Sequence, residues 1–214
     1  MTAIKICGIT RREDADQAAA LGASFVGFVM WKNSPRYIPL DRVRRIVSML
    51  PATVTPVGVF VNPTADEVNA ATDAGISVAQ IHGDANGWHG GLVPGVEVIR
   101  AVHLAEGRHD AIEPDVPDHR ILLDAHDPVR HGGTGKTIDW SRARVIAQAR
   151  QVILAGGLTP DNVRQAIGEV RPFAVDVSSG VELRPGIKDH GLLQRFIAAA
   201  KAIEGTEGTD DKKY

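Results

Sequence analysis

The chain has 214 residues and a formal net charge of −2, from 24 basic and 26 acidic side chains. This balance gives no excess of positive charge that would attract nucleic acid or an anionic membrane surface. A bound anion must therefore be held by individual groups at its own site. One cysteine excludes an internal disulfide, and such a chain is typical of a reducing compartment. No apolar run approaches the roughly 18 residues of a membrane span, and no signal-like segment opens the chain. We therefore expect a soluble, cytoplasmic protein.

Short apolar runs rich in Val, Ile and Phe recur along the chain and predict eight strands. The runs are 3–7, 25–30, 56–61, 78–82, 97–102, 120–125, 151–156 and 173–178. Most are continuous rather than alternating, which is typical of parallel strands that are covered on both faces.

Helical patterns lie between several of these strands. The clearest are 12–22, 40–51 and 159–170. The first has early acidic residues and ends at Gly22, and the second is predicted to stop at Pro51. The third is predicted to begin with Thr159 as its cap, followed by Pro160 in the first turn.

Roughly eight strands at this spacing, in about 200 residues, favour an α/β fold with a single (β/α)₈ TIM barrel over an open sheet. We expect the barrel to span residues 1–203 and the polar segment 204–214 to form a disordered tail. Units four and five contain the segments 83–95 and 105–118, for which we expect short or irregular helices.

Polar residues cluster at the predicted carboxyl ends of the strands, where this fold places its active sites. They are Cys7, Gln80, His82, Asp124 and Asp176, with Arg36 following the second strand. Arg36 lies between two prolines that limit backbone freedom, so its guanidinium can present a planar fork to a carboxylate.

Glycine and serine follow strands seven and eight, at the position where these barrels bind phosphate through backbone N–H groups. The residues are Gly156 and Gly157 after the seventh strand, and Ser178, Ser179 and Gly180 after the eighth. Ordinary turn chemistry is the alternative interpretation, but two such loops in this order favour a phosphate site.

A glycine-rich segment at 131–140 follows strand six and is predicted to form a flap, with Gly133 and Gly135 near the substrate. It ends like a nucleotide-binding P-loop, but Arg130 stands where that motif requires its first glycine. Lys136 either closes on the substrate or is solvated, and the sequence favours neither.

Taken together, the motifs KICGIT, SPRYI, VGVFVN, QIHG, LLDA, GGTGKT, LAGGLTPDNV and VDVSSGVE resemble the phosphoribosylanthranilate isomerase family. The resemblance covers about residues 3 to 200 and is carried by the ordered set of motifs. It implies an isomerase of tryptophan biosynthesis that converts N-(5′-phosphoribosyl)anthranilate into 1-(2-carboxyphenylamino)-1-deoxyribulose 5-phosphate. This Amadori rearrangement uses neither a metal nor an organic cofactor.

The resemblance also implies roles for individual residues. Cys7 would be the general base and Asp124 the general acid, and Arg36 would pair with the anthranilate carboxylate. The loops at Gly157 and Ser179 would hold the phosphate. A free thiol is mostly protonated and a free aspartate mostly ionised at neutral pH, so both catalytic groups would need environmental tuning.

Three alternatives remain at this point. A metal-dependent sugar-phosphate epimerase would use His82, Asp124 or Asp176 around a divalent ion, and a non-catalytic barrel would keep only the phosphate loops. A related barrel isomerises a histidine-pathway ribonucleotide, but it typically uses paired aspartates and two phosphate sites. We favour a single phosphoribosyl substrate, with no nucleic-acid or membrane partner, bound by a monomer or homodimer.

Overall fold

Eight parallel strands close into a barrel in the computed structural model, which describes residues 1–83, 95–104, 120–125 and 139–202. The strands are β1 (Ala3–Cys7), β2 (Phe25–Val29), β3 (Thr55–Val61), β4 (Val78–His82), β5 (Glu97–Leu104), β6 (Arg120–Ala125), β7 (Val152–Leu154) and β8 (Ala174–Val177). Closure comes from the pairing of β1 with β8, in which Lys5 lies opposite Asp176. The predicted (β/α)₈ class is confirmed.

Six helices are described between or after the strands. They are α1 (Arg12–Leu21), α2 (Leu40–Val47), α3 (Ala65–Asp73), α4 (Trp140–Ala149), α5 (Val163–Val170) and α6 (His190–Lys201). After β8 the chain forms a short 3₁₀ turn at Ser179–Val181 and then a hairpin of β9 (Glu182–Arg184) and β10 (Ile187–Lys188). Residues 84–94, 105–119, 126–138 and 203–214 lie outside the described residues, and with them lie the helices expected within 83–95 and 105–118 and the expected tail at 204–214.

The strands bury both faces, as their continuous apolar sequences predict. Outward side chains such as Ile4, Ile6 and Phe28 pack against the helices. Inward side chains such as Val57 and Leu122 form a separate cluster that fills the lower part of the barrel. Because side chains alternate along a strand, the inward positions nearest the carboxyl ends are left to form a site above this apolar floor.

The ends of two predicted helices differ from the sequence expectation. Helix α2 ends at Val47, and its last turn tightens through bonds from the N–H groups of Met49 and Leu50 to carbonyls three residues earlier, before Pro51 is reached. Thr159 is not the cap of α5, which begins at Val163.

The late start of α5 has a local cause in the side chain of Asn162. Its Oδ1 accepts a hydrogen bond from the N–H of Thr159 at 2.8 Å, and its Nδ2 donates to the carbonyl of Gly157 at 3.0 Å. These two bonds fold residues 159–162 into a turn, and they tie the start of α5 to the glycine loop that follows β7.

Candidate active site

A cavity of about 390 Å³ opens at the carboxyl ends of the barrel strands. This volume lies within the range of small-molecule sites. Among the residues that line it are Cys7, Arg36, Gln80, His82, Asp124, Gly156, Gly157, Asp176, Ser178, Ser179 and Gly180. The cavity therefore brings together every predicted site residue that the structure describes. Gly133, Gly135 and Lys136 lie outside the described residues.

Cys7 and Asp124 enter this cavity from different strands. Cys7 ends β1, Asp124 lies on β6, and both residues are only 7% exposed. Their remaining surface faces the same space, and neither is enclosed in hydrocarbon. A thiol and a carboxyl group on one small cavity are a pair that can move protons at two positions of one ligand.

Two buried lysines lie near the thiol. Lys5 is fully buried, and its Nζ donates to Oδ1 of Asp176 at 2.9 Å. Lys188, on β10, is also buried, and its Nζ donates to the carbonyl oxygen of Cys7 at 2.6 Å. Lysine is almost never fully buried without a partner, so these contacts explain how both lysines are tolerated.

Burial raises the pKa of the Cys7 thiol above its ordinary value, because the thiolate loses its hydration. Lys5 and Lys188 act in the opposite direction and offset this only in part, while Asp176 adds to the rise. Burial alone would lower the pKa of Lys5, but Asp176 and Cys7 together raise it above its ordinary value. Lys5 is therefore a cation in the folded chain.

Arg36 is held by an acidic residue of the hairpin. Its Nε and Nη2 donate to Oε1 and Oε2 of Glu182 at 3.0 and 2.7 Å, and Glu182 also accepts from Lys188 at 2.9 Å. Burial alone would raise the pKa of Glu182, but Arg36 and Lys188 hold it below its ordinary value. Glu182 is therefore a carboxylate that accepts hydrogen bonds from both Arg36 and Lys188.

The loops after β7 and β8 approach each other closely at the cavity. Gly156 and Gly157 have φ values of 82° and 64°, a region that favours glycine. A Cβ at Gly180 would lie 2.0 Å from the carbonyl oxygen of Leu158, so only glycine fits between the loops. The absence of side chains exposes backbone N–H groups, and Ser178 adds a hydroxyl whose Oγ is buried without a hydrogen-bond partner among the described residues.

Gln80 and His82 lie on the inward face of β4. The Gln80 amide contacts Nε2 of His82 at 2.8 Å, and Oε1 of Gln80 is buried with no hydrogen-bond partner in the described part of the chain. Whichever way this amide is turned, one end meets His82 and the other is left for a ligand. A buried polar group without a partner costs about 1–3 kcal/mol, which a bound polar ligand would recover.

Sequence reasoning missed three residues of this site: Lys5, Glu182 and Lys188. Lys5 carried a usable signal, because it lies inside an apolar strand and shares the inward face with Cys7 two residues later. The Pro185 and Gly186 pair could have predicted the turn between β9 and β10. Nothing in the sequence alone shows that this hairpin reaches back to β1.

The described residues contain no group of three or more His, Cys, Asp or Glu side chains that could hold a metal ion. Among the helices of this same part of the chain, none has the length and apolar character needed to cross a membrane.

The closed barrel and the polar cavity at the carboxyl ends of its strands define the class, the (β/α)₈-barrel enzymes. Residues 4–199 match the sequence model of the family described as N-(5′-phosphoribosyl)anthranilate isomerase. The chain belongs to this family, and it is an isomerase of tryptophan biosynthesis by that membership. The resemblance noted from its motifs is thereby confirmed.

Individual relatives with the same family name are similar in sequence to nearly the whole chain. An N-(5′-phosphoribosyl)anthranilate isomerase from Geobacter sp. strain M21 is 45% identical over 204 residues, which cover 95% of this chain and 100% of the relative. The enzyme of the same name from Citrifermentans bemidjiense is 46% identical over 204 residues, covering 95% of this chain and 98% of the relative.

Solved structures of this family have the same fold as this chain. Phosphoribosylanthranilate isomerase from Thermotoga maritima superimposes with a TM-score of 0.83 at 40% identity, over 94% of this chain and 100% of that chain. A phosphoribosylanthranilate isomerase in complex with reduced 1-(o-carboxyphenylamino)-1-deoxyribulose 5-phosphate gives a TM-score of 0.80 at 38% identity, with the same coverage.

Proposed function

We propose that this chain converts N-(5′-phosphoribosyl)anthranilate into 1-(2-carboxyphenylamino)-1-deoxyribulose 5-phosphate, with Cys7 as general base and Asp124 as general acid. The observation that carries the residue roles is the convergence of these two side chains, from β1 and β6, on one cavity. The solved relative that holds a reduced form of the product supports the same ligand for this cavity.

The reaction needs two proton transfers at neighbouring positions of the sugar. Asp124 protonates the ribose ring oxygen, which opens the ring and leaves a Schiff base between C1 and the anthranilate nitrogen. The Cys7 thiolate then removes the proton from C2. The resulting enolamine takes up a proton at C1 and loses the proton of its C2 hydroxyl group, which gives the C2 ketone of the product. Two fixed groups on one cavity suit this sequence, because neither has to move between the steps.

The cavity also supplies contacts for both ends of the substrate. Arg36 lines it with a guanidinium whose Nη1 makes no hydrogen bond with the described residues, and we assign this end to the anthranilate carboxylate. Gly156, Gly157 and the Ser178 to Gly180 turn also line the cavity, and we assign these loops to the phosphate. Gln80, His82 and Asp176 are assigned to the sugar hydroxyl groups between them.

The remaining expectations are part of the same proposal. The chemistry needs only protons, so we propose that no metal or organic cofactor takes part. We place the enzyme in the cytoplasm, which its single reduced thiol supports. For assembly we propose a monomer or a homodimer, since one solved relative is described as a dimeric enzyme from which monomers were generated.

The test is an assay of the purified chain with freshly prepared N-(5′-phosphoribosyl)anthranilate, followed by the loss of anthranilate fluorescence and by identification of the product. We expect turnover that persists after exhaustive chelation. Turnover that disappears with the chelator and returns with a divalent ion would support the metal-dependent epimerase chemistry instead. No conversion of this substrate by a correctly folded chain would overturn the proposal.

A further inference from the structure

Lys5 is a fully buried charged group to which the proposed reaction assigns no role. Its side chain is 0% exposed, although it lies in the middle of an otherwise apolar strand. It precedes Cys7 by two residues, so both side chains lie on the inward face of β1. An isolated buried ammonium would be costly, and an apolar residue of similar size would fill this position without that cost.

The neighbouring strand makes room for the ammonium and the thiol together. Gly27 on β2 lies opposite Cys7 in the sheet, and a Cβ there would lie 2.9 Å from Sγ of Cys7 and 3.3 Å from Nζ of Lys5. The missing side chain of Gly27 therefore creates one space into which both groups reach. On the other side, Asp176 of β8 holds Nζ at 2.9 Å and fixes its direction.

The charged groups that the structure describes around the thiol differ in how they are placed. Lys5 reaches it from β1, Asp176 from β8 and Lys188 from β10, and Arg36 and Asp124 line the same cavity. Nζ of Lys188 donates to the carbonyl oxygens of Cys7 and Ser178 and to Glu182, so its three N–H groups are already used. Of these two lysines, Lys5 is the one that remains available to Sγ itself.

We infer that Lys5 is a positioning residue for proton removal: its ammonium, fixed by Asp176, holds and stabilises the thiolate of Cys7 at the base of the cavity. The group of Lys5, Asp176 and Cys7 is then neutral with the thiol and carries one negative charge with the thiolate. Without Lys5 the thiolate would lie beside a carboxylate in a poorly hydrated space. The catalytic part of this inference rests on the proposed function, in which Cys7 is the base.

The test uses the single thiol of the chain as its own reporter. The rate at which iodoacetamide alkylates Cys7 in the folded, substrate-free protein is measured between about pH 7 and 9, where it is proportional to the thiolate fraction. Lys5→Met keeps the length of the side chain and removes its charge. We expect the alkylation rate and kcat/KM to fall together by at least about tenfold, since an opposite charge at this range shifts a titration by about one unit or more.

Two further variants keep the result interpretable. Lys201→Met removes a distant lysine, whose Nζ bonds to the carbonyl of Leu21, and should leave both rates unchanged. If Lys5→Met fails to fold because Asp176 loses its partner, Lys5→Met with Asp176→Asn removes the buried pair as a unit. Alkylation should still be slower in that protein, because Lys5 affects the thiol more strongly than Asp176 does.

The outcomes separate this inference from the proposed function. An alkylation rate unchanged by loss of Lys5 would overturn the coupling between the ammonium and the thiol, whatever role Cys7 has. Slower alkylation with an unchanged kcat/KM would overturn the role of Cys7 as the base, and with it the catalytic role of Lys5. A parallel loss of both supports the inference.

Discussion

Glu182 holds Arg36 by one edge of its guanidinium group, through Nε at 3.0 Å and Nη2 at 2.7 Å. The side chain of Glu182 is only 3% exposed and also binds Lys188, which in turn donates to the carbonyl oxygen of Cys7. The β9–β10 hairpin therefore links the arginine assigned to the substrate carboxylate with the backbone of the proposed base. The same hairpin therefore supports both Arg36 and Cys7.

The first prediction concerns this support. Glu182→Gln keeps the shape of the side chain but removes the charge that fixes Arg36, so the guanidinium should lose its orientation toward the substrate. We expect KM to rise about tenfold or more, in line with the worth of a charge-assisted hydrogen bond, with a smaller change in kcat. Steady-state kinetics measure the two effects separately.

The matched control is Glu169→Gln, which alters an exposed carboxylate of α5 that bonds to Gln165. Its KM should equal that of the unaltered chain. Because Glu182 is also the partner of a buried lysine, a thermal melt must show that the variant is folded at the assay temperature. An unchanged KM in folded Glu182→Gln would show that the hairpin does not orient Arg36.

The sequence predicts the site residues that lie at strand ends, but not those that lie on the β9–β10 hairpin. Cys7, Gln80 and Asp124 end apolar runs, and the alternation of a strand together with the closure of a barrel predicts that such residues meet. The structure places all three on one cavity.

Glu182 and Lys188 are distant in sequence from Cys7 and Arg36, and no local pattern shows that a hairpin folds over the barrel. The contact depends on the geometry of a buried ion pair, which has no signature in the sequence. Helix starts differ in the same way. The capping box of Thr64 and Glu67 at the start of α3 is a local pattern that the sequence shows directly. The turn that Asn162 forms before α5 is decided by its bond to the carbonyl of Gly157.

The second prediction tests the two proposed proton-transfer groups. Cys7→Ser and Asp124→Asn each keep the size of the side chain but remove its ability to transfer a proton at the required pH. We expect kcat to fall about 10²- to 10⁴-fold in each variant, with a much smaller change in KM. Thermal melts near that of the unaltered chain would show that the loss is chemical, and near-normal turnover in both variants would contradict the assigned roles.

The third prediction is a pH dependence of turnover. Burial raises the pKa of Cys7 above its ordinary value, and the base is active as the thiolate, which exists above that pKa. The limb of kcat/KM that belongs to this group should therefore rise with pH through neutrality and continue beyond about pH 8.5, the pKa of a free thiol. A profile of kcat/KM between about pH 6 and 9.5 measures it, and a plateau reached below pH 7 would contradict the prediction.

The fourth prediction concerns stability at acid pH. Asp14 is a fully buried carboxylate of α1, and burial alone would raise its pKa. Hydrogen bonds from Arg11, His190 and the N–H of Lys188 outweigh burial and hold the pKa below its ordinary value. The stability that Asp14 contributes is therefore complete above about pH 4, the unfolded value, and is lost as the pH falls through the folded value.

Urea unfolding of the unaltered chain and of Asp14→Asn at several pH values measures this contribution. The difference in free energy of unfolding between the two proteins should be constant above about pH 5 and should shrink toward pH 3. Asp16→Asn, an exposed neighbour paired with Arg12, provides the control and should show little difference at any pH. A difference for Asp14→Asn that does not change with pH would contradict the assigned cause.

The fifth prediction contrasts two glycines that meet very different surroundings. A Cβ on Gly180 would lie 2.0 Å from the carbonyl oxygen of Leu158, a backbone atom that cannot turn away, whereas a Cβ on Gly168 in α5 would meet nothing within 4 Å. Gly180→Ala must therefore push apart the loops after β7 and β8, which we assign to the phosphate. Inhibition constants for a phosphorylated product analogue should rise about tenfold or more.

Overpacking should also cost Gly180→Ala about 1–3 kcal/mol of folding free energy. Gly168→Ala should bind the analogue normally and gain about 0.5–1 kcal/mol, because alanine loses less backbone entropy than glycine inside a helix. The two variants make the same chemical change, so their difference isolates the close approach of the loops. Equal affinity for the analogue in both proteins would show that the spacing between these loops does not determine how the phosphorylated end is held.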